Sequence, residues 1–207
     1  MPTAETAPAG GARRKAQYHH GDLKEAMIAA AYALVLERGP DGFAMADACA
    51  AAGVSRAAPY RHFEGREDLL KEVAIRAFGR LAASMRAAKS DHPSGSIEAI
   101  AAVGRAYVAF AMAERNIFRM IFGKAAGLKE HPEVDAAGVG AFEVLLEEIR
   151  ARYPGANAER VMNAALPLWT FVHGASFLEI DGAYARFKPD QDIDTVIDAA
   201  TRGLLSA

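Results

Sequence analysis

From Leu23 to Leu205 the apolar residues recur at spacings of three and four, and nowhere does the chain alternate apolar and polar with a period of two. The first spacing lines one face of a helix and the second one face of a strand, so this property confines the chain to an all-α fold. With 52% of its 207 residues apolar, there is ample material for a buried core. Gly39-Pro40, Gly53, Glu64-Gly65 and the segment SDHPSGS (90–96) interrupt the pattern and divide it into about nine helices.

The first helix is expected to be capped by Asp22, with Glu25 in capping-box spacing, and to bury Leu23, Met27, Ala30, Leu34 and Val35. A short second helix, Met45 to Ala52, ends at Gly53, and Ser55 is the expected N-cap of a third, Arg56 to His62. A longer helix after Gly65 carries Leu69, Leu70, Val73, Ala77 and Phe78 on one face. Later helices are expected at Ser96 to Glu114, Asn116 to Phe122, Val134 to Tyr153, Ala158 to Ile180 and Ile193 to Leu205.

The third of these contains a proline, in GVSRAAPYRHF (53–63). An interior proline costs about 3 kcal/mol, because it removes a hydrogen bond and meets the carbonyl four residues back. With Ser55 as cap, Pro59 is only the fourth helical residue and loses only the first bond, so it pins the helix start to Arg56. Two short helices joined by a tight turn are the geometry that enters a DNA major groove. Cys49, four residues before Gly53, is either the small residue that lets these helices cross or a redox-sensing thiol.

Composition excludes several classes. A single cysteine rules out an internal disulfide and a cysteine metal cluster, and a cytoplasmic location is expected. There is no signal-peptide pattern and no run approaching the roughly 20 apolar residues of a membrane span, so no membrane partner is expected. No metal-ligand spacing, nucleophile motif or phosphate-cradling glycine loop stands out, and neither a cofactor nor an enzymatic activity is expected. Net charge is −2, with a balance of +1 over residues 1–80 and −3 over 81–207. Residues 1–17 lack apolar periodicity and end in Arg13, Arg14 and Lys15, which reads as a flexible basic arm.

His20 to Val73, with its capped first helix, RGxxG turn, AAGVS turn, YRHF and DLL, resembles the DNA-binding domain of TetR-family transcriptional regulators. LWTFVHG (168–174) resembles the W..HG signature of a C-terminal ligand-binding and dimerisation domain in one branch of that family. The resemblance implies a three-helix helix-turn-helix domain at 18–80, with the motif at about 44–63. A fourth helix would join it to a ligand-binding and dimerisation bundle at 81–207. It also places Arg56, Ala57, Tyr60, Arg61 and His62 on the recognition face. Tyr60 and His62 would touch phosphates, Arg56 and Ala57 would lie at base edges, and Lys71 would meet a phosphate. Arg13, Arg14 and Lys15 either reach the minor groove or phosphates, or are ordinary solvated charges. Two departures stand out: Ala44 occupies the position of a common family threonine, and Pro59 that of an apolar residue.

In the Ala158 to Ile180 helix, Met162, Leu166, Trp169, His173 and Phe177 share one stripe, and Val161, Ala165, Leu168 and Val172 make the other side apolar too. Pro167 is expected to bend it. Trp169, His173, Phe177 and Met162, with Tyr107, Phe110, Phe118 and Phe122, are the candidate lining of a small-molecule pocket, although His173 reads more readily as a core histidine with a satisfied hydrogen bond. Dimerisation is expected through the helices at about 158–180 and 191–205. The leading reading is a repressor that binds a pseudopalindromic double-stranded operator as a homodimer and is released by an apolar or amphipathic effector. Its rivals are a helical enzyme using Trp169, His173 and Glu179 or Asp181, and a non-specific architectural DNA binder.

Overall fold

The computed structural model describes residues 20–123, 128 and 131–206. Among them are nine α-helices, one three-residue 3-10 helix and no strand. The α-helices are α1 (His20–Arg38), α2 (Met45–Ala52), α3 (Arg66–Lys89), α4 (Ile97–Ala113), α5 (Arg115–Phe122), α6 (Pro132–Arg152), α7 (Ala158–Ile180), α8 (Ala183–Phe187) and α9 (Ile193–Ser206). The 3-10 helix is Pro59–Arg61.

Most boundaries follow local chemistry. The Ser96 side chain accepts from the Ala99 N–H at 3.0 Å to start α4, and Asn157 accepts from Arg160 N–H at 2.9 Å to start α7. Gly53 ends α2 with φ at 69°, the left-handed conformation that glycine takes without cost. Asp22 is not the cap of α1, which is already helical at His20, the first described residue. The α8 helix was not expected from periodicity, since its five residues bury none of their side chains and leave no apolar pattern.

The long α3 runs from one half of the molecule to the other, packing against α1 and then along α4 and α6. The expected domain boundary at residue 80 falls inside it. On its other side α4 meets α7 and α9, and there Gly104 allows close approach: a Cβ would stand 3.1 Å from Ile197 Cγ2 and 3.2 Å from Val172 Cγ1, so these side chains would have to give by a few tenths of an ångström. Helix α7 continues unbroken through Pro167. Its length and composition match those of a membrane-crossing helix, which amends the expectation that no run approaches one. In this fold Val161, Ala165, Leu168 and Val172 of α7 are buried against protein.

A buried carboxylate locks the turn between α3 and α4. Glu148 of α6, only 2% exposed, accepts from Lys89 Nζ at 2.7 Å, from Gly95 N–H at 2.7 Å and from Ser94 Oγ at 3.3 Å. Burial pushes this carboxyl up, but Lys89, the Gly95 N–H and Ser94 outweigh burial and hold it below the usual carboxylate range. Gly95 has φ at 75°, and a Cβ there would meet the Arg152 backbone nitrogen at 2.6 Å, so no other residue fits.

Candidate nucleic-acid interface and ligand cavity

The segment after α2 is tighter than expected. Proline has no N–H to give the Ser55 carbonyl, which accepts instead from Ala58 N–H at 3.1 Å. Pro59 then opens the 3-10 helix, with Ala58 rather than Ser55 in the cap position, and its carbonyl accepts from both His62 and Phe63 N–H, at 2.8 and 2.9 Å. The expected α-helix from Arg56 to His62 is therefore a turn followed by three 3-10 residues. Phe63, 2% exposed, anchors the end of the segment in the core.

This geometry sorts the recognition residues. Arg56, Ala57, Tyr60 and Arg61 are exposed, Tyr60 at 61%. His62 is not with them. At three residues per turn, positions 59 and 62 eclipse, so His62 follows the buried Pro59; its Nε2 is buried with no partner and its ring lies edge-on to Phe63 at 6.4 Å. Lys71, on the first turns of α3, is bound to Asp68 at 2.7 Å, a contact that raises its ammonium above the ordinary lysine range. At α2, the Ala44 N–H is taken by Asp47 Oδ2 at 2.8 Å. Cys49 of α2 is buried in the hydrophobic core, as a packing residue would be. Arg13, Arg14 and Lys15 lie outside the described residues.

Two residues, Glu114 and Asn116, hydrogen-bond this unit at α5. Glu114, 8% exposed at the junction of α4 and α5, accepts the Tyr32 O–H from α1 and the Arg80 guanidinium from α3, the latter at 2.6 Å. Arg80 also covers the Tyr32 ring, 5.3 Å from its centroid. Burial, reinforced by Glu114, pushes the Tyr32 phenol well above its ordinary value. Asn116 Nδ2 donates to the Leu36 carbonyl of α1 at 3.0 Å.

Between α3, α4, α6 and α7 lies a cavity of about 340 Å³, touched also by α5 and α9. Phe78, Tyr107, Phe122, Phe142, Trp169 and Phe171 are its aromatic lining. Val139 and Leu166, both exposed, border it and mark its mouth between α6 and α7. Of the eight expected residues, Tyr107, Phe122 and Trp169 line it. His173 lies just behind them: its Nδ1 is 2.8 Å from the Tyr107 hydroxyl and its ring stacks on Trp169 at 5.1 Å. Phe118 and Phe177 pack on His173 in turn, at 5.8 and 5.2 Å. Phe110 is buried outside the lining, and Met162 is a surface residue of α7. Burial lowers the His173 pKa and raises that of Tyr107, so both are held neutral.

Phe78, Phe142 and Leu145 line the cavity although nothing in the sequence assigned them to it. Their helical faces were legible, but their meeting depends on how α6 packs against α3 and α7, which periodicity does not record. The carboxylates offered to an enzyme reading are not at the cavity. Asp181 is exposed and paired with Arg119, and Glu179 is absent from the lining. Among the described residues no cluster of metal-ligating side chains occurs.

Comparison with known proteins follows this division of the chain. Residues 27–73 match the model of bacterial regulatory proteins of the tetR family, and residues 100–204 match that of the tetracyclin repressor-like C-terminal domain. The HTH-type transcriptional repressor BepR of Brucella suis biovar 1 (strain 1330) is 33% identical over 82 residues, so the match spans 39% of that relative's length and 39% of this chain. A protein of unknown function from Rhodococcus sp. RHA1 has a similar structure, with a TM-score of 0.75, 28% identity, and coverage of 91% of this chain and 96% of the other. The fold is also similar to that of the transcriptional regulator FadR from Bacillus subtilis, solved in complex with stearoyl-CoA, with a TM-score of 0.61, 15% identity, and coverage of 88% and 97%.

Proposed function

The chain belongs to the TetR family of DNA-binding transcriptional regulators, not to a family of enzymes, and on that premise we propose that it is a ligand-released repressor. It reads a pseudopalindromic operator as a homodimer through the exposed Arg56, Ala57, Tyr60 and Arg61. Arg56 supplies hydrogen-bonded base contact, Ala57 apolar contact, and Tyr60 and Arg61 position the segment on phosphates. The buried Nε2 of His62 argues for a supporting role rather than a phosphate contact. Lys71 reaches a phosphate only by leaving Asp68.

Dimerisation through α7 and α9 is supported by what α7 leaves exposed. Met162, Leu166, Thr170, Gly174 and Leu178 stand four apart on its outer face, and Leu204 of α9 is exposed as well. A stripe of this kind on a helix already packed on its other side fits a second copy, and a two-fold axis would set two reading segments about 34 Å apart.

The observation that carries regulation is the position of α5. It gives Phe122 to the cavity, while Glu114 at its start and Asn116 within it hold α1. An apolar or amphipathic molecule that displaces Phe122 changes the seating of α1, and with it the spacing of the reading segments. In gel shifts on the intergenic DNA beside its own gene, Tyr60→Ala with Arg61→Ala should weaken binding about 100-fold while leaving the dimer intact by sedimentation. Unchanged sequence-specific binding would refute the reading face, and equal binding to random DNA would favour a non-specific architectural role.

A further inference from the structure

Among the described residues the cavity offers a ligand no charge to meet. Its described lining contains no Lys, Arg, His, Asp or Glu, and its polar side chains are confined to Tyr107, Trp169 and Thr201. Beside it, Tyr107 and His173 form a couple that has no ion partner, since each is hydrogen-bonded to the other at 2.8 Å and walled in by Phe118, Phe122 and Trp169. Burial already holds both groups in their neutral forms. A carboxylate brought here would be stripped of water with nothing to neutralise it. A hydroxyl would be accommodated, because it both donates and accepts and so satisfies the Tyr107 oxygen in whichever tautomer His173 adopts. At about 340 Å³ the space stands at the small end of ligand sites, which run from roughly 300 to 1,000 Å³.

Resting on the reading of this cavity as the effector site, we propose that it selects uncharged molecules with a compact apolar body and one hydroxyl, which pairs with the Tyr107–His173 couple. Selection is by exclusion as much as by attraction: the hydrophobic wall favours any alkyl body, and a described lining without a cation rejects the same body carrying a carboxylate.

1-Octanol and octanoate differ only in their head group, and Trp169, the one tryptophan of the chain, lines the cavity and reports its occupancy. With the full-length protein at pH 8, 1-octanol should change Trp169 emission and raise the melting temperature, and octanoate should need at least about 100-fold more for the same change. Tyr107→Phe keeps the ring and loses the hydroxyl, and should weaken 1-octanol about tenfold. Equal affinity for alcohol and carboxylate overturns the charge selection while leaving the cavity a ligand site. Undiminished binding of 1-octanol by a folded Tyr107→Phe protein overturns the hydroxyl contact. No response to either compound overturns the cavity reading and this inference together, and the wild-type comparison stands whether or not the variant folds.

Discussion

Two buried glutamates, Glu148 and Glu114, do different jobs with similar means. Each is under a tenth exposed and each meets a cation from α3, Lys89 in one case and Arg80 in the other. Glu148 also takes a backbone N–H, from Gly95, in a turn whose glycine cannot be replaced, so all its partners sit in one rigid corner of the C-terminal bundle. The donors to Glu114 are side chains alone, Tyr32 from α1 and Arg80 from α3, across the joint between the reading unit and the cavity. A carboxylate bound by backbone fixes a shape; one bound by side chains from separate helices can exchange partners when those helices move.

The contrast is broken most severely at Glu148. Glu148→Ala strands Lys89 and leaves the Gly95 N–H without its acceptor, and should cost about 3 kcal/mol, at the low end for a buried pair because Lys89 is one-fifth exposed. Urea unfolding should show that loss, while operator affinity per folded molecule stays within about twofold, since no reading residue depends on this corner. A loss of affinity without a loss of stability would reverse the roles assigned to the two glutamates.

Glu114→Gln should do the opposite. The amide still accepts one bond, and Arg80, whose side chain is 57% exposed, is resolvated easily, so the expected stability loss is only about 1 kcal/mol. The coupling should suffer more. If Glu114 carries cavity occupancy to α1, the concentration of a neutral alcohol that releases half the operator should rise about tenfold, with alcohol affinity measured by Trp169 emission unchanged. An unaltered release curve would remove Glu114 from the path.

This difference between the glutamates was invisible in the sequence, for a definite reason. Helical periodicity is local, and it gave α7 at both its ends, α2 at both of its ends and the apolar faces of α3 and α6. Partners 82 residues apart, such as Tyr32 and Glu114, leave no periodic mark. The cavity divides the same way: Trp169 and Tyr107 were nameable as aromatic residues on apolar faces, whereas Phe142 became a lining residue only through the packing of α6 on α3 and α7. The recognition segment was half legible. Pro59 did mark a boundary, but reasoning from an α-helix put His62 outward, and the tighter 3-10 turn leaves its Nε2 buried beside Phe63.

The smallest effect concerns acid. The Glu148 carboxyl titrates below its unfolded value in the native protein. The unfolded chain therefore takes up the proton first as pH falls, and the stability that Glu148 supplies is complete above the ordinary carboxylate pKa of about 4.3. It declines as pH drops through that value and is gone once the native carboxyl is protonated too. The gap in unfolding free energy between wild type and Glu148→Gln should be constant from pH 7 to pH 5.5 and shrink between pH 5 and pH 3. A gap that widens with acid would mean that burial, not Lys89 and the Gly95 N–H, dominates at this carboxylate, and the rigid corner would then be a strained one.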